Sequence, residues 1–404
     1  MWKRVLVYSF ILCLICQLCI AENNEGFSAE DFPNGLKLYQ PEKCRKGYTM
    51  VPYEQGLILI IDMKGNVVHH WEIGTERARL LENGHVVVMQ GSRIVEYDWD
   101  GKVVWDFEVP GGPYEGEGYP SPGFIHHDLQ RLENGNTIFI IHEEVPEEYK
   151  KLIKESTRRS WRFIGDCFME VNRDKEIVWQ WHAHEGLDLN KDTRIRPGRG
   201  RRFDWTHANT VNVLPENHWY EAGHKEFRAG NVIICSRHLD EIYIIDRETK
   251  DVVWRYSGEY LGGISRPHEP YMIKKGMPGA GNILLFDNGT DRMRTERDGK
   301  PAIEDVTVVL EINPVSKRIV WLYQNDEFYS AIQGTQQRFS NGNTFICEST
   351  QGRLFEVTDR GEKVWEYVMP PFPGSDEEHG FGTRPHRYPY DYCPQFKTLP
   401  KSEL

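Results

Sequence analysis

Gly65-Asn-Val-Val-His-His-Trp71, Gly101-Lys-Val-Val-Trp105, Lys175-Glu-Ile-Val-Trp179, Lys250-Asp-Val-Val-Trp254, Lys317-Arg-Ile-Val-Trp321 and Gly361-Glu-Lys-Val-Trp365 are six versions of one phrase. Each is a turn, a few β-formers and then tryptophan. The copies end other β-like runs at Glu-Tyr-Asp98, Glu-Val-Asn172, Ile-Ile-Asp246, Glu-Ile-Asn313 and Glu-Val-Thr358, so each unit closes with a hairpin. Upstream lies a second shared element: Leu81-Glu-Asn-Gly-His85, Leu132-Glu-Asn-Gly-Asn136 and Phe339-Ser-Asn-Gly-Asn343. Asn-Gly supplies the positive φ angles of tight hairpin turns. Apolar β-formers follow each of these, and longer turns precede Asn231-Val-Ile-Ile234 and Asn282-Ile-Leu-Leu285.

The unit is therefore strand, turn, strand, turn, strand, turn, strand with a terminal Trp. Repeated six times, it predicts an all-β chain: a six-bladed β-propeller of four-stranded antiparallel blades. The first Trp phrase lacks its own upstream Asn-Gly strand, and residues are left over after Trp365. We therefore expect the ring to be closed by N- and C-terminal segments, with the stretch His386–Tyr392 completing the first blade. The tryptophans are expected to pack between blades.

The composition agrees. Of 404 residues, 39% are hydrophobic, 27% charged and 12% aromatic, a globular profile. A net charge of −12 argues against a nucleic-acid partner. Lys3 and Arg4 before the apolar run Val5–Ile20, with small Ala21 after it, read as a signal peptide over residues 1–21. An uncleaved anchor is the rival reading; after cleavage no membrane partner is expected. The last four residues, Lys401-Ser-Glu-Leu404, resemble an ER-retrieval signal, which points to the endoplasmic reticulum lumen or secretion. The expected layout is an N-terminal extension over 22–44, the propeller over 45–392 and a tail over 393–404. The sequon Asn288-Gly-Thr290 is a candidate glycosylation site.

Eight cysteines are present, and Cys13, Cys16 and Cys19 fall in the leader. Cys167, Cys235 and Cys347 sit in apolar strand-like runs, as free cysteines do. Cys44 and Cys393 lie outside the repeats at opposite ends of the mature chain, and a disulfide between them would staple the termini. No mature C-x-x-C pair suggests zinc or redox work.

In a propeller the first strand of each blade lines the channel, and here that is the segment before each Asn-Gly turn. Three of those segments carry histidine: His126-His127-Asp128, Asp204-Trp-Thr-His207-Ala-Asn209 and Arg266-Pro-His268-Glu-Pro270. The fifth unit has Gln333-Gly-Thr-Gln336 instead. His127 and His268 lie five residues before the apolar position of their turns and His207 seven, so strict alternation puts all three on one face. His126 would then point the other way. Arg237, inside the apolar run Ile233-Ile-Cys-Ser-Arg-His238, needs an anion or a paired charge, and its planar donors suit a tetrahedral oxyanion. Three imidazoles could hold zinc with an open position, but the neighbouring Arg237 would repel an added cation. We expect no metal and no cofactor. The run Arg194-Ile-Arg196-Pro-Gly-Arg199-Gly-Arg201-Arg202 reads as a solvated loop or as a lid attracting anions, and Glu147–Arg159 as a polar surface insert with helical character.

The run around His207 and Asn209, the Ser-Arg237-His strand, the His-His127-Asp strand and Leu-Leu-Phe286-Asp-Asn-Gly289 resemble the arylsulfate sulfotransferases. These six-bladed propellers move a sulfuryl group from a phenyl sulfate ester to a phenol. The resemblance covers about residues 45–370. It implies that His268 is the transiently sulfated histidine, with His207, Asn209, Arg237 and His127 completing the catalytic set. Arg292 and Gln336 are expected to bind substrate. The partners would be a small aryl sulfate donor and a phenolic acceptor. The family's N-terminal β-sandwich is missing, so oligomeric state does not carry over.

The chemistry is coherent. A neutral imidazole attacks sulfur, a sulfohistidine carries the group, and two displacements give ping-pong kinetics. Arg237 and Asn209 would neutralise charge on the sulfuryl oxygens, and His127 or His207 would move the proton. Two other readings stand beside it: a non-catalytic propeller binding a protein or an anionic ligand, and a quinone-dependent dehydrogenase, whose propellers share a Gly-x-x-x-Trp phrase but need a chromophore and calcium.

Overall fold

The computed structural model describes residues 32–401, apart from residues 54, 76, 113–120, 192, 194, 196, 199–201 and 296–300. The leader, Ser402–Leu404 and most of the Arg-rich run fall outside the described residues.

Six antiparallel sheets form a propeller. Blade 2 is a complete local unit: Ala78–Leu80, Val86–Gln90, Arg93–Tyr97 and Val103–Glu108, inner strand first. Blades 3 to 6 follow with inner strands Ile125–Arg131, Ala208–Val213, His268–Met272 and Thr335–Arg338. Blade 1 takes Tyr48–Tyr53, Leu57–Ile61 and Val67–Trp71 from the start of the chain and its inner strand, His386–Tyr388, from the end. That is the expected closure. A second clasp extends it, because Leu36–Tyr39 pairs with the outer strand Lys363–Val368 of blade 6. The propeller therefore begins before residue 45.

Each blade is buried on both faces, so its strands read as unbroken apolar runs. Alternation sends successive side chains to opposite neighbours. Val86 and Val88 pack towards blade 1, whereas Val87 and Met89 pack towards blade 3. Ile233 joins the cluster between blades 4 and 5, and Ile234 the one between blades 3 and 4. Six such clusters, one per seam, make the core.

The six tryptophans do the docking the repeat predicts. The indole N–H of each donates to a turn carbonyl of the next blade: Trp71 to Asp98 (3.2 Å), Trp105 to Arg173 (2.9 Å), Trp179 to Arg247 (3.0 Å), Trp254 to Pro314 (2.9 Å), Trp321 to Asp359 (2.7 Å) and Trp365 to Met63 (2.9 Å). The last contact returns to blade 1 and closes the circle. Buried ion pairs reinforce several seams, as in Arg131–Glu96 (2.6 Å), Arg338–Glu311 (2.6 Å) and Arg387–Glu356 (2.5 Å).

Two expectations change. In the Asn-Gly turns only the glycine is left-handed (Gly84 φ 85, Gly135 φ 86, Gly342 φ 92), so the turn is a type I turn ending in a left-handed Gly, not the doubly left-handed form. The Cys44–Cys393 disulfide is not formed, because both thiols are free and buried in different clusters. The Cys44 Sγ donates to the Val364 carbonyl (3.2 Å), and burial pushes its thiol up to about 12. The strand pairings at both ends staple the termini instead. The insert Glu147–Arg159 has the helical character expected of it, as two single-turn helices, Glu147–Lys150 and Ser156–Arg159.

Candidate active site

The inner strands do not run as simple alternating ribbons where the histidines sit. His127 (φ 61), His207 (φ 43) and Glu269 (φ 50) are left-handed non-glycine residues, as are Arg266 (φ 56), Gln333 (φ 56) and Arg384 (φ 52) just before their inner strands. Pairing slips beside them in blades 3, 4 and 5. Such conformations cost about 1–3 kcal/mol each and persist where surrounding structure enforces them. They turn side chains towards the axis at the start of each inner strand. Even spacing therefore is not what aligns the histidines, because a bulge lies within the counted segments.

The histidines do meet. The His127 and His207 rings stand edge to face with centroids 4.7 Å apart, and His207 stacks on His238 at 4.4 Å. His268 lies within Coulombic reach of His127, and both lie within reach of the Arg384 guanidinium.

Each of the three rings has its Nδ1 engaged. His268 Nδ1 faces Asn288 Oδ1 (2.6 Å) and the Arg266 carbonyl (3.0 Å). His207 Nδ1 faces Asp204 Oδ2 (2.5 Å), and His127 Nδ1 faces His126 Nδ1 (2.8 Å). At His268 the oxygen acceptors place the proton on Nδ1, so the basic lone pair is on Nε2. Burial, then the Arg384 and Arg237 guanidiniums, hold the His268 imidazole well below the usual range. Burial, then His207 and His126, do the same to His127. Neutral imidazoles with a fixed tautomer are nucleophiles and bases.

Beneath them the channel is filled by an ionic cluster that sequence reasoning missed. Arg77 meets Asp128 (2.9 Å) and Glu269 (2.9 Å), and Arg384 meets Glu269 (2.5 Å) and Asp128 (3.4 Å). Arg79 adds a third guanidinium at 3.4 Å from Asp128. Three cations against two carboxylates leave one positive charge under the histidines. The clue was in the sequence: Arg384-Pro-His386 repeats Arg266-Pro-His268. His386 Nδ1 faces the Arg384 carbonyl at 3.0 Å, as His268 Nδ1 faces that of Arg266. The repeats then diverge, since Arg79 Nη1 lies 2.9 Å from His386 Nε2 and donates to it. Among the described residues no arginine is hydrogen-bonded to the matching nitrogen of His268 in blade 5.

Arg237 follows the strand Val232–Ser236, is half-buried, and acts on His268 and His238. Asn209 is fully buried, and its amide donates to the Pro267 carbonyl (2.7 Å), tying blade 4 to the residue before His268. Two expected substrate ligands are elsewhere. Arg292 is locked by Asp287 (2.6 Å) and the Gly263 and Val306 carbonyls. Gln336 donates to the Glu269 (2.7 Å) and Leu284 (3.3 Å) carbonyls, stapling blade 6 to blade 5. Neither side chain is available to a ligand. Asn288 is likewise no glycan acceptor in the folded chain: it is fully buried, and its Nδ2 donates to Ser330 (2.7 Å) and Gln333 (2.8 Å) carbonyls. Those bonds aim its oxygen at His268.

Among the described residues three groups gather ligand-type atoms: His126–His142–Asp166, Glu143–Cys167–His182 and Asp204–His207–His238. In each the carboxylate is closed directly on imidazole nitrogen, at 3.1 and 3.3 Å from Asp166, 2.7 Å from Glu143 and 2.5 Å from Asp204. The groups are networks of ion pairs and hydrogen bonds as they stand.

A propeller channel lined by neutral, oriented imidazoles over buried guanidiniums defines an anion-handling site suited to group transfer. Residues 77–369 match the family model described as Arylsulfotransferase (ASST), and the chain belongs to that family. No curated protein matches it. Similar solved structures include a protein of unknown function from Bacteroides caccae (13% identity, TM-score 0.49, covering 80% of this chain and 94% of that one). Another is a streptogramin B lyase (11%, TM-score 0.41, 84% and 88%). A third is a catalytically inactive virginiamycin B lyase from Staphylococcus aureus with quinupristin (10%, TM-score 0.37, 83% and 74%).

Proposed function

We propose that the protein transfers a sulfuryl group from an aryl sulfate ester to a phenolic acceptor through a sulfohistidine on His268. The observation that carries this is the fixed tautomer of His268, whose Nδ1 is held by Asn288 and Arg266 beside two guanidiniums. In the first displacement the His268 Nε2 lone pair forms the N–S bond while the S–O bond to the aryl group breaks, and the electron pair leaves with the phenolate. In the second the acceptor gives its proton to His127, its oxygen forms the new S–O bond, and the N–S pair returns to His268. The proton then passes to the phenolate of the next donor. Atoms and charge balance with no further reactant. Arg237 and the net positive floor stabilise charge on the sulfuryl oxygens. The leader-like start and the Lys401–Leu404 ending support a site of action in the secretory pathway.

The test is incubation of the protein with 4-nitrophenyl sulfate and a phenol. Acceptor-dependent nitrophenol release is expected, and peptide mapping after donor alone should find one SO3 group on His268. His268→Ala should abolish both. A folded wild-type protein giving neither would favour the non-catalytic binding reading.

A further inference from the structure

Asp166 sits in the centre strand of blade 3 and is fully buried. Its Oδ1 lies 3.1 Å from His126 Nε2 and 3.3 Å from His142 Nδ1, and those two rings stack with centroids 3.7 Å apart. Its Oδ2 accepts from Thr206 Oγ1 (2.5 Å) and from the Ala208 amide (2.6 Å). Thr206 and Ala208 flank His207, and His126 meets His127 at 2.8 Å. One carboxylate therefore anchors two of the three candidate imidazoles, which come from different blades.

We infer that Asp166 and His126 are positioning residues that form a proton relay behind His127, so that His127 presents a basic Nε2 to the channel. A carboxylate 3.1 Å from His126 Nε2, a charge contact without hydrogen-bond alignment, favours a proton on that nitrogen and leaves His126 Nδ1 as an acceptor. The proton between the two Nδ1 atoms then belongs to His127. When His127 Nε2 takes a proton from an acceptor phenol, the positive charge is shared towards His126 and is countered by Asp166. The arrangement is that of an oriented base with a buried carboxylate behind it, with one imidazole interposed. This inference rests on the sulfuryl-transfer reading for its chemistry but not for its geometry. Among the described residues, the groups facing the relay include His142, Asp204 and Cys167 on the Asp166 side and His207, His268 and Arg384 on the His127 side.

Full-length protein carrying Asp166→Asn or His126→Gln is assayed with 4-nitrophenyl sulfate against phenols of rising pKa. Each variant should lower kcat on the order of 10²-fold with KM little changed. The deficit should grow with acceptor pKa, and the double variant should cost no more than either single one. SO3 labelling of His268 by donor alone should persist in both variants. Wild-type kcat, or a loss that ignores acceptor pKa, would overturn the relay. Loss of labelling in wild type would instead overturn the sulfuryl-transfer reading. A measurement independent of turnover and of variant folding is the nitrogen shift of the wild-type imidazoles by NMR. His127 should show a pyrrole-type Nδ1 and a pyridine-type Nε2, and the reverse assignment sinks the inference.

Discussion

A single amide shows how the site depends on neighbours that carry no chemistry themselves. Asn288 receives the His268 Nδ1–H on its oxygen while its nitrogen is held by two carbonyls from the start of blade 6. The amide cannot flip without losing all three bonds, so the ring cannot present the wrong nitrogen. Asn288→Ala removes the stronger acceptor and leaves only the Arg266 carbonyl. SO3 labelling of His268 should slow about 10-fold, the equivalent of one hydrogen bond, and two buried carbonyls lose their donor at a further cost of about 1–3 kcal/mol. Asn288→Asp separates orientation from charge. A carboxylate beside the ring favours the imidazolium, so the acid limb of kcat/KM should move to higher pH with the tautomer preserved. An unmoved limb in Asn288→Asp, read from rates at several pH values, would mean that another group titrates.

At the scale of strands and blades, the repeat was legible because each phrase answers to a local physical need. The Trp must reach a turn of the next blade, the Gly must adopt a left-handed turn, and the apolar runs must fill two seams. Residues with those duties recur at recognisable places, and the ring closure followed from what was left over. The site histidines were legible for a different reason: polar groups at the mouths of inner strands stand out against apolar neighbours. The rest was hidden because it depends on contacts across the axis. Asp128, Glu269, Arg77 and Arg384 come from four different blades, and a strand sequence does not say which of its charges meets which. Arg292 and Gln336 misled in the opposite sense, since a buried polar side chain held by its own fold has the same sequence as a ligand-binding one. Seam docking makes its own prediction. Trp365 is fully buried where blade 6 meets blade 1, and Arg387 lies over its ring at 4.3 Å. Trp365→Ala should cost about 3–5 kcal/mol, seen as a lower urea midpoint. Trp321 is only half-buried and makes the equivalent bond. Trp321→Ala should therefore cost clearly less, and equal losses would show that the hydrogen bond, not burial, dominates docking.

For the whole molecule the deciding feature is how many imidazoles the fold keeps neutral. Burial holds His127, His142, His238 and His268 below the ordinary value, and it takes His386 down to about 3 and His69 to about 4. In the unfolded chain each would titrate near 6.5. Between that value and the lowered folded ones, the unfolded state binds more protons, so stability is fully present above about pH 6.5 and falls as the medium becomes more acidic. His182 opposes the trend, since its hydrogen bond to Glu143 raises it and favours the fold as pH falls. Asp287, pushed up to about 6 by burial, and Glu348, raised by burial, oppose it too, but three such groups do not offset six. Three other buried carboxylates act lower down. Burial pushes Asp166, Asp204 and Glu269 up, but imidazole and guanidinium neighbours overcome it and hold them well below the usual range, so their contribution is lost only below about pH 4. The melting temperature should therefore begin to fall between pH 7 and 5, above the window of the three low carboxylates, as each neutral histidine removes up to about 1.4 kcal/mol of stability per pH unit. His69 belongs to this sum although it stacks on Trp99 at the seam of blades 1 and 2, away from the channel. His69→Phe should flatten the slope without touching transfer, whereas His268→Gln should flatten it and abolish transfer. A melting temperature constant from pH 7 to 5 would mean that the channel imidazoles take up protons in the fold as readily as in the unfolded chain, and a charged His268 has no lone pair to attack sulfur.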